Sequence, residues 1–342
     1  MTSEPTHMYQ EVREIPAAVE RLLSAGNASI KSAAALAREA NPNYFISIAR
    51  GSSDHAASFL KYASELLLQL PMASVGPSVS SIFGVNLNAH GAVGIAVSQS
   101  GQSPDIVRLT ESLRESGALT VAITNDGRSR LAGVSNATLE LHAGAELSVA
   151  ATKTFVASLV AGLWFLAELQ QDDELIAAIR MLPQSLDRAT RCDWSAAADA
   201  IDGRSIFTIG RGPSWAISNE AALKFKETCL IHAESYSAAE VLHGPVSIVE
   251  KGFPVIAFAA KDKAETSVAE TADALTEKGA RVFGVTDKVR KARTLPHVRT
   301  EHWLCDPITA IVSFYGMVES VALKRGINPD KPRHLNKVTE TV

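Results

Sequence analysis

Four side chains in one short segment form a candidate acid–base group. Lys224 and Glu227 lie three positions apart in a strongly helical pattern, so they share one helix face. Glu240 and His243 follow in a stretch that reads as a loop. An amine, two carboxylates and an imidazole are the groups that enzymes use to move protons. The same pattern is typical of a surface helix with an ion pair, and the residues alone leave both interpretations open.

A second candidate site begins where an apolar strand pattern ends at Val97. The segment SQSGQSPD places Ser98, Gln99, Ser100 and Ser103 before a predicted helix start. Open α/β sheets bind ligands at the carboxyl ends of their strands, and helix N-termini there favour anions. Hydroxyl and N–H groups in this position are suited to a phosphate. A capped strand–helix turn without a ligand fits the segment equally well.

Two further segments are candidates for the same crevice. Ser52 and Ser53 follow an Arg-Gly pair at another predicted strand end, and residues 148–153 (SVAATK) precede a long apolar helix. Neither Arg-Gly segment completes a dinucleotide-binding fingerprint, and the sequence contains no Walker or HExxH motif. We therefore predict no cofactor and no metal.

The elements that must position these residues occur twice in the chain. YFISIARGSSDHAAS (44–58) resembles SIFTIGRGPSWAISN (205–219) at an offset of 161 residues, and GALTVAIT (117–124) resembles GARVFGVT (279–286) at an offset of 162. Short apolar runs alternate with helical patterns in both copies, as in 92–97 and 253–259, then 104–116 and 263–278. This alternation predicts parallel sheets covered by helices on both faces.

We therefore predict an α/β fold of two tandem doubly wound, flavodoxin-like domains of about 150 residues each. The predicted boundaries are an N-terminal helical segment at 1–43, a first domain at 44–190, a second domain at 191–327 and a C-terminal tail at 328–342. The longest apolar stretch, Thr154 to Leu169, is short for a membrane span and predicts a buried core helix.

Composition limits the function classes. The 342 residues carry a net charge of −4, which argues against a nucleic-acid partner. The three cysteines, Cys192, Cys229 and Cys305, are far apart and predict reduced thiols. The polar start of the sequence does not read as a signal peptide. We expect a cytoplasmic protein with no membrane partner.

Several of these motifs together resemble the sugar isomerase (SIS) domain family. The segments SQSGQSPD, AATKTF, EAALKFKETCLIHAESY, HGP and DKPRHLNKV are similar to the isomerase half of glutamine–fructose-6-phosphate amidotransferases, and the resemblance covers nearly the whole chain. The segments ARGSSDHA, SAAEVLHGPV and GINPDKP are most similar to SIS-type glucosamine-6-phosphate deaminases. The fold implied is two SIS domains.

The resemblance implies a role for each catalytic candidate. Glu227 matches the glutamate that moves a proton between C1 and C2 of the sugar, and Lys224 matches the lysine beside it. His243 matches a histidine that assists ring opening and that the neighbouring subunit supplies, so the resemblance implies a homodimer. Lys337 matches the lysine that forms a Schiff base with the open-chain ketose.

The resemblance also implies the substrate-binding residues. The substrate would be a phosphorylated amino sugar. Its phosphate cradle would be formed by Ser98, Gln99, Ser100 and Ser103, with Ser53 nearby. The residues lining the sugar would be Ser52, Val149 and Ala151.

Departures from the amidotransferase pattern bear on the reaction. The sequence has no match to the glutaminase half, and Ala239, Leu242 and Ala151 replace a glycine, a lysine and a serine of that family. We expect a deaminating isomerase that converts D-glucosamine 6-phosphate and water to D-fructose 6-phosphate and ammonia. The alternatives are a galactosamine-6-phosphate deaminase, a fructosamine-6-phosphate deglycase, a synthase or transaminase without a glutaminase half, and a non-catalytic sugar-phosphate sensor.

Overall fold

The computed structural model describes residues 4–335 and Lys337. The chain divides into two compact units, each of which contains one parallel sheet. The first-sheet unit consists of residues 17–146 and 153–180 together with Lys337. The second-sheet unit consists of residues 4–16, 147–152 and 181–335.

Each sheet has five parallel strands. The first contains β1 (Tyr44–Ile48), β2 (Met72–Ser74), β3 (Ala92–Val97), β4 (Leu119–Thr124) and β5 (Ala137–Glu140), in the order β2-β1-β3-β4-β5. The second contains β6 (Ser205–Gly210), β7 (His232–Ser237), β8 (Pro254–Phe258), β9 (Arg281–Val285) and β10 (Arg293–Thr294), in the order β10-β9-β8-β6-β7. The two orders are the same flavodoxin-like topology, which confirms the predicted fold class.

Thirteen α-helices connect and cover these strands within the described residues. They are α1 (His7–Ala25), α2 (Asn27–Ala40), α3 (Ser52–Leu67), α4 (Ser78–Ser81), α5 (Pro104–Glu115), α6 (Arg130–Val134), α7 (Lys153–Gln170), α8 (Asp173–Arg180), α9 (Leu182–Ala189), α10 (Ser195–Ala200), α11 (Pro213–Cys229), α12 (Glu265–Glu277) and α13 (Asp306–Lys324).

The repeat predicted from the sequence extends to the backbone. Gly51 links β1 to α3 with φ 59° and ψ −135°, and Gly212 links β6 to α11 with φ 59° and ψ −138°. This conformation is open almost only to glycine. The two glycines therefore make the same turn in the two sheets, from strand end into helix start.

The main strands lie where the sequence predicts them, whereas the edge strands β2, β5, β7 and β10 were not predicted. An edge strand needs only one neighbour, so it does not require the continuous apolar run that identifies a buried parallel strand. The polar segment His232–Ser237, which forms β7, is an example.

Each sheet packs against its own helices. In the first-sheet unit, Ile106, Leu109 and Leu113 on one face of α5 pack against Ile46 and Ile48 of β1. In the second-sheet unit, the apolar core includes Phe207, Val255, Val268, Leu275 and Val282. The spacing of the helix residues is the 3.6-residue period of an amphipathic helix.

The long apolar stretch beginning at Thr154 forms the buried helix α7, as predicted. One segment of the described residues, Trp303–Lys324, has the length and composition of a membrane span, and 89% of its most apolar window is buried inside the structure. Part of the predicted tail, residue 336 and residues 338–342, lies outside the described residues, as do residues 1–3 of the predicted N-terminal segment.

Candidate functional site

A buried charge triplet on α11 contains the candidate acid–base residues. Lys224 Nζ lies 3.0 Å from Glu220 Oε1 and 2.7 Å from Glu227 Oε2. The side chains of Lys224 and Glu220 are fully buried, whereas that of Glu227 is 22% exposed. The spacings of three and four residues place all three on one helix face. The pair predicted from the sequence is thus formed, but in the interior and not on a surface helix.

The two carboxylates hold Lys224 in its charged form. Burial alone would lower the pKa of Lys224, but the neighbouring Glu220 and Glu227 outweigh that effect and raise the pKa above its ordinary value. Lys224 therefore remains an ammonium at neutral pH. Glu227 is the partly exposed end of the triplet.

Glu220 is a site residue that sequence reasoning missed. Its Oε1 also accepts a hydrogen bond from the Tyr315 hydroxyl at 3.2 Å, so a residue of α13 anchors the buried end of the triplet. The signal in the sequence was the four-residue spacing between Glu220 and Lys224. Glu220 was not predicted as a site residue because a glutamate is almost never fully buried unless it is paired, and its burial is visible only in the fold.

The serine-rich loop after β3 has the form of an anion cradle. Ser98 Oγ accepts the Gly101 N–H at 3.3 Å, and Ser100 Oγ accepts the Gln102 N–H at 3.3 Å. Ser103 precedes α5, and its side chain makes no capping hydrogen bond. Gly101 has a φ of +60°, and a Cβ there would lie 2.2 Å from Ser129 Oγ. The sharp turn thus depends on glycine, and it gathers hydroxyl groups at the N-terminus of a helix.

The loops after β1 and β3 leave neighbouring strands of the first sheet. Ile48 pairs in register with Ala96 at the carboxyl ends of these strands. Arg50 Nη2 lies 2.9 Å from Asp105 Oδ1, which ties the loop after β1 to the first turn of α5. Ser52 and Ser53 follow this arginine at the start of α3, partly exposed. The two predicted serine segments therefore meet at the topological switch point of one sheet.

Lys337 is held by a carboxylate that sequence reasoning also missed. Lys337 Nζ donates to Glu146 Oε2 at 3.1 Å, and the Glu146 side chain is fully buried. Glu146 also accepts the Thr154 N–H at 3.1 Å and the Thr154 hydroxyl at 2.6 Å, at the N-terminus of α7. This carboxylate therefore serves as a helix cap and as an anchor for the lysine.

The segment before α7 presents the predicted sugar-lining residues. Val149 and Ala151 are partly exposed, whereas the residues between and beside them are buried. The carboxylate of Glu11, itself buried, accepts the backbone N–H of Leu147 and, at 3.3 Å, that of Ser148. Glu11 thus fixes the backbone that aims these two side chains.

His243 lies in an exposed 3-10 turn after β7. Its backbone N–H donates to the Glu240 carbonyl at 2.8 Å, which closes the turn. The imidazole is exposed to solvent. Its predicted donation to a neighbouring subunit stays a prediction.

Three comparisons place these features among known proteins. The sequence model of the SIS domain family matches residues 40–168 and 201–293, which include both strand-end turns. A crystal structure of a candidate phosphosugar isomerase from Silicibacter pomeroyi DSS-3 is 57% identical with a TM-score of 0.93, and the match covers 95% of this chain and 100% of that one.

Further relatives are larger or more distant. A glutamine–fructose-6-phosphate aminotransferase (isomerizing) from Sulfurisphaera tokodaii is 30% identical over 97% of this chain and 56% of its own length. The chain thus spans about half the length of the curated relatives it matches. The C-terminal domain of the Francisella tularensis glucosamine-fructose-6-phosphate aminotransferase has the same fold, with 22% identity and a TM-score of 0.83 over 96% of this chain and 99% of that one.

The triplet makes a prediction about stability. Replacing Lys224 with methionine leaves the buried Glu220 and the partly exposed Glu227 without their shared cation, and we expect the free energy of unfolding to fall by about 3–5 kcal/mol. Replacing its exposed neighbour Lys226 in the same way should change it by no more than about 0.5 kcal/mol. Urea unfolding of the two variants measures the difference, and equal stabilities would contradict the account of the triplet.

Proposed function

We propose that this chain, which belongs to the SIS domain family, is a deaminating aldose–ketose isomerase. In this proposal it converts D-glucosamine 6-phosphate and water to D-fructose 6-phosphate and ammonia. The observation that carries the proposal is Glu227, a partly exposed carboxylate fixed at 2.7 Å from a buried ammonium. A carboxylate in a fixed position, with one end open to a ligand, is suited to move a carbon-bound proton.

The reaction needs one proton to move between adjacent carbons. In the open-chain amino sugar, Glu227 takes the proton from C2, the electron pair forms a C1–C2 double bond, and the C1 oxygen takes a proton from solvent to become a hydroxyl. Glu227 then returns its proton to C1, which leaves a protonated imine at C2. Water adds to that imine, and ammonia departs as ammonium to give the ketose. Lys224 stays an ammonium and holds Glu227 in one orientation throughout.

The phosphate of the substrate is assigned to the loop after β3. Ser98, Ser100 and Ser103 offer hydroxyl groups beside the N-terminus of α5, and backbone N–H groups there favour an anion. Gln99, Ser52 and Ser53 complete the proposed cradle. Binding through neutral donors suits a phosphate that must be released with the product.

Lys337 is assigned to covalent stabilisation of the ketose. The ammonium would first give a proton to solvent, and the free amine would then attack C2 of fructose 6-phosphate. Return of a proton to the carbinolamine would allow water to leave and would give a protonated imine. That imine keeps the positive charge of the lysine, so Glu146 retains a cationic partner through the step. The 3.1 Å contact between Lys337 and Glu146 supports this role.

Specificity within the family is a separate part of the proposal. Val149 and Ala151 line the proposed sugar site, and their shapes would distinguish an amino sugar from a galactosamine isomer or a fructosamine. We also propose that His243 assists ring opening, that the protein is a homodimer and that it is cytoplasmic. The exposed imidazole of His243 supports its role in ring opening and its donation to a neighbouring subunit.

Ammonia release tests the proposal directly. Purified protein given glucosamine 6-phosphate, with no glutamine present, should release ammonia and fructose 6-phosphate in equal amounts. Replacing Glu227 with glutamine keeps the shape but removes the base, so we expect turnover to fall by about 10²–10⁴-fold. The matched exposed variant Glu301→Gln should keep the wild-type rate.

Parallel assays distinguish the alternatives. Galactosamine 6-phosphate and a fructosamine 6-phosphate are offered under the same conditions. If one of these compounds is turned over and glucosamine 6-phosphate is not, the proposed substrate would change and the proposed mechanism would stay. Full activity of Glu227→Gln would contradict the catalytic assignment.

The role of Lys337 makes a prediction of its own. Borohydride added in the presence of fructose 6-phosphate should reduce the imine and add the mass of the sugar phosphate to the protein, as measured by mass spectrometry. Lys337→Arg should remain unmodified because arginine forms no such imine. Lys331→Arg, at an exposed lysine six residues earlier, should be modified like the wild type. Equal labelling of Lys337→Arg would overturn the assignment.

A further inference from the structure

The first turn of α1 has its backbone N–H groups satisfied from outside the helix. Asp330 Oδ2 accepts the His7 N–H at 2.7 Å, and Asp330 Oδ1 accepts the Met8 N–H at 2.8 Å. The Thr6 hydroxyl accepts the Tyr9 N–H at 3.0 Å. The first N–H groups of a helix have no partners within the helix, and the helix dipole favours a carboxylate beside them. Asp330 therefore binds this turn with both oxygens, although it follows Met8 by 322 residues.

The capped turn is also fixed to the helix that supports the charge triplet. The Thr6 hydroxyl donates to Glu319 Oε1 at 2.8 Å, and Glu319 is buried on α13. Tyr315 lies one turn earlier on the same face of α13 and donates to Glu220 at 3.2 Å. Helix α13 therefore connects the start of α1 with the buried end of the triplet.

Asp330 lies in the segment that leads to Lys337. Asn328 Oδ1 accepts the Asp330 N–H at 2.9 Å, and the Asn328 carbonyl accepts the Lys331 N–H at 3.3 Å. Residues 325–335 form no helix or strand, so contacts like these must offset the entropy lost when the segment is ordered. The two hydrogen bonds to α1 thus fix the point from which the chain runs to Lys337, seven positions later.

The second turn of α1 holds a different segment of the proposed site. The buried carboxylate of Glu11 accepts the backbone N–H of Leu147 and, at 3.3 Å, that of Ser148. These two residues directly precede the segment that contains Val149 and Ala151. Consecutive turns of one helix therefore contact both segments.

We propose that the first two turns of α1 form a clamp that positions two segments of the site, with Asp330 and Glu11 as its positioning residues. The inference rests on the roles proposed above for Lys337, Val149 and Ala151. Each carboxylate acts through the backbone that it fixes, and neither contacts the substrate in this proposal. Loss of either one should therefore misplace a functional side chain and leave its chemistry intact.

Borohydride trapping tests the part of the clamp that holds the tail. In Asp330→Ala, the rate of trapping on Lys337 at saturating fructose 6-phosphate should fall about 10–100-fold, since a small misplacement of a reacting group has effects of that size. Asp330→Asn keeps one acceptor oxygen and should give an intermediate rate. The control Asp172→Ala removes a carboxylate that accepts the Leu175 N–H at 2.9 Å at the start of α8, and it should keep the wild-type rate.

The Michaelis constant tests the part that holds the sugar-lining segment. Glu11→Ala should raise KM for glucosamine 6-phosphate about 10-fold, because Val149 and Ala151 lose their fixed position. A protein that is only destabilised loses active molecules, so its kcat falls and its KM stays. If Glu11→Ala does not fold, Glu11→Gln, which keeps one acceptor oxygen, should show a smaller rise in KM. A wild-type KM in the folded variant would overturn the clamp.

Trypsin digestion separates this inference from the proposed function. Cleavage after the exposed Arg333 releases residues 334–342, and mass spectrometry measures its rate in active or inactive protein. The cleavage should be faster in Asp330→Ala than in the wild type and in Asp172→Ala. A wild type without imine formation or turnover would contradict the proposed function, and the cleavage rates would then decide the clamp. Equal cleavage rates, or equal trapping rates in active proteins, would overturn the clamp.

Discussion

All strand pairs in both sheets are parallel, and this constraint decides where chemistry can occur. A parallel strand must be reached by a crossover, so every strand in a sheet ends at the same edge. Where the strand order reverses, the loops after two neighbouring strands separate and leave a crevice. In the first sheet these loops carry Ser52 and Ser98, and in the second they carry Gly212 and Ala264. The same backbone thus provides two crevices, and side chains alone make them different.

The second constraint is the free energy of burying charge. Lys224 is buried on α11 only because Glu220 and Glu227 replace the water that it loses. Tyr315 fixes the inner carboxylate, so the outer one, Glu227, has a defined position without being buried itself. The buried carboxylate of Glu146 contacts Lys337 in a similar way. It also accepts a hydrogen bond from the backbone N–H of Thr154 at the N-terminus of α7. In both cases a buried acid contacts a lysine and fixes its position.

The sequence predicted the parts of the structure that repeat or that are apolar. Strands β1 and β6 were identified from Ile-rich runs before Arg-Gly, and α7 from its continuous apolar stretch. Strand β7 was missed because an edge strand can be polar. The contact between Lys337 and Glu146 joins positions 191 residues apart, and no local pattern encodes such a contact.

The central claim is that Glu227 moves a proton between C2 and C1 of an amino-sugar phosphate. The most direct measurement is the hydrogen at C1 of fructose 6-phosphate formed from glucosamine 6-phosphate in deuterium oxide, read by NMR. Because Glu227 is 22% exposed, its proton can exchange with solvent during the reaction. The account predicts product with the wild type, in which the added C1 hydrogen is deuterium where the Glu227 proton has exchanged and the original C2 hydrogen where it has not, and almost no product with Glu227→Gln. Product from Glu227→Gln at the wild-type rate would contradict it.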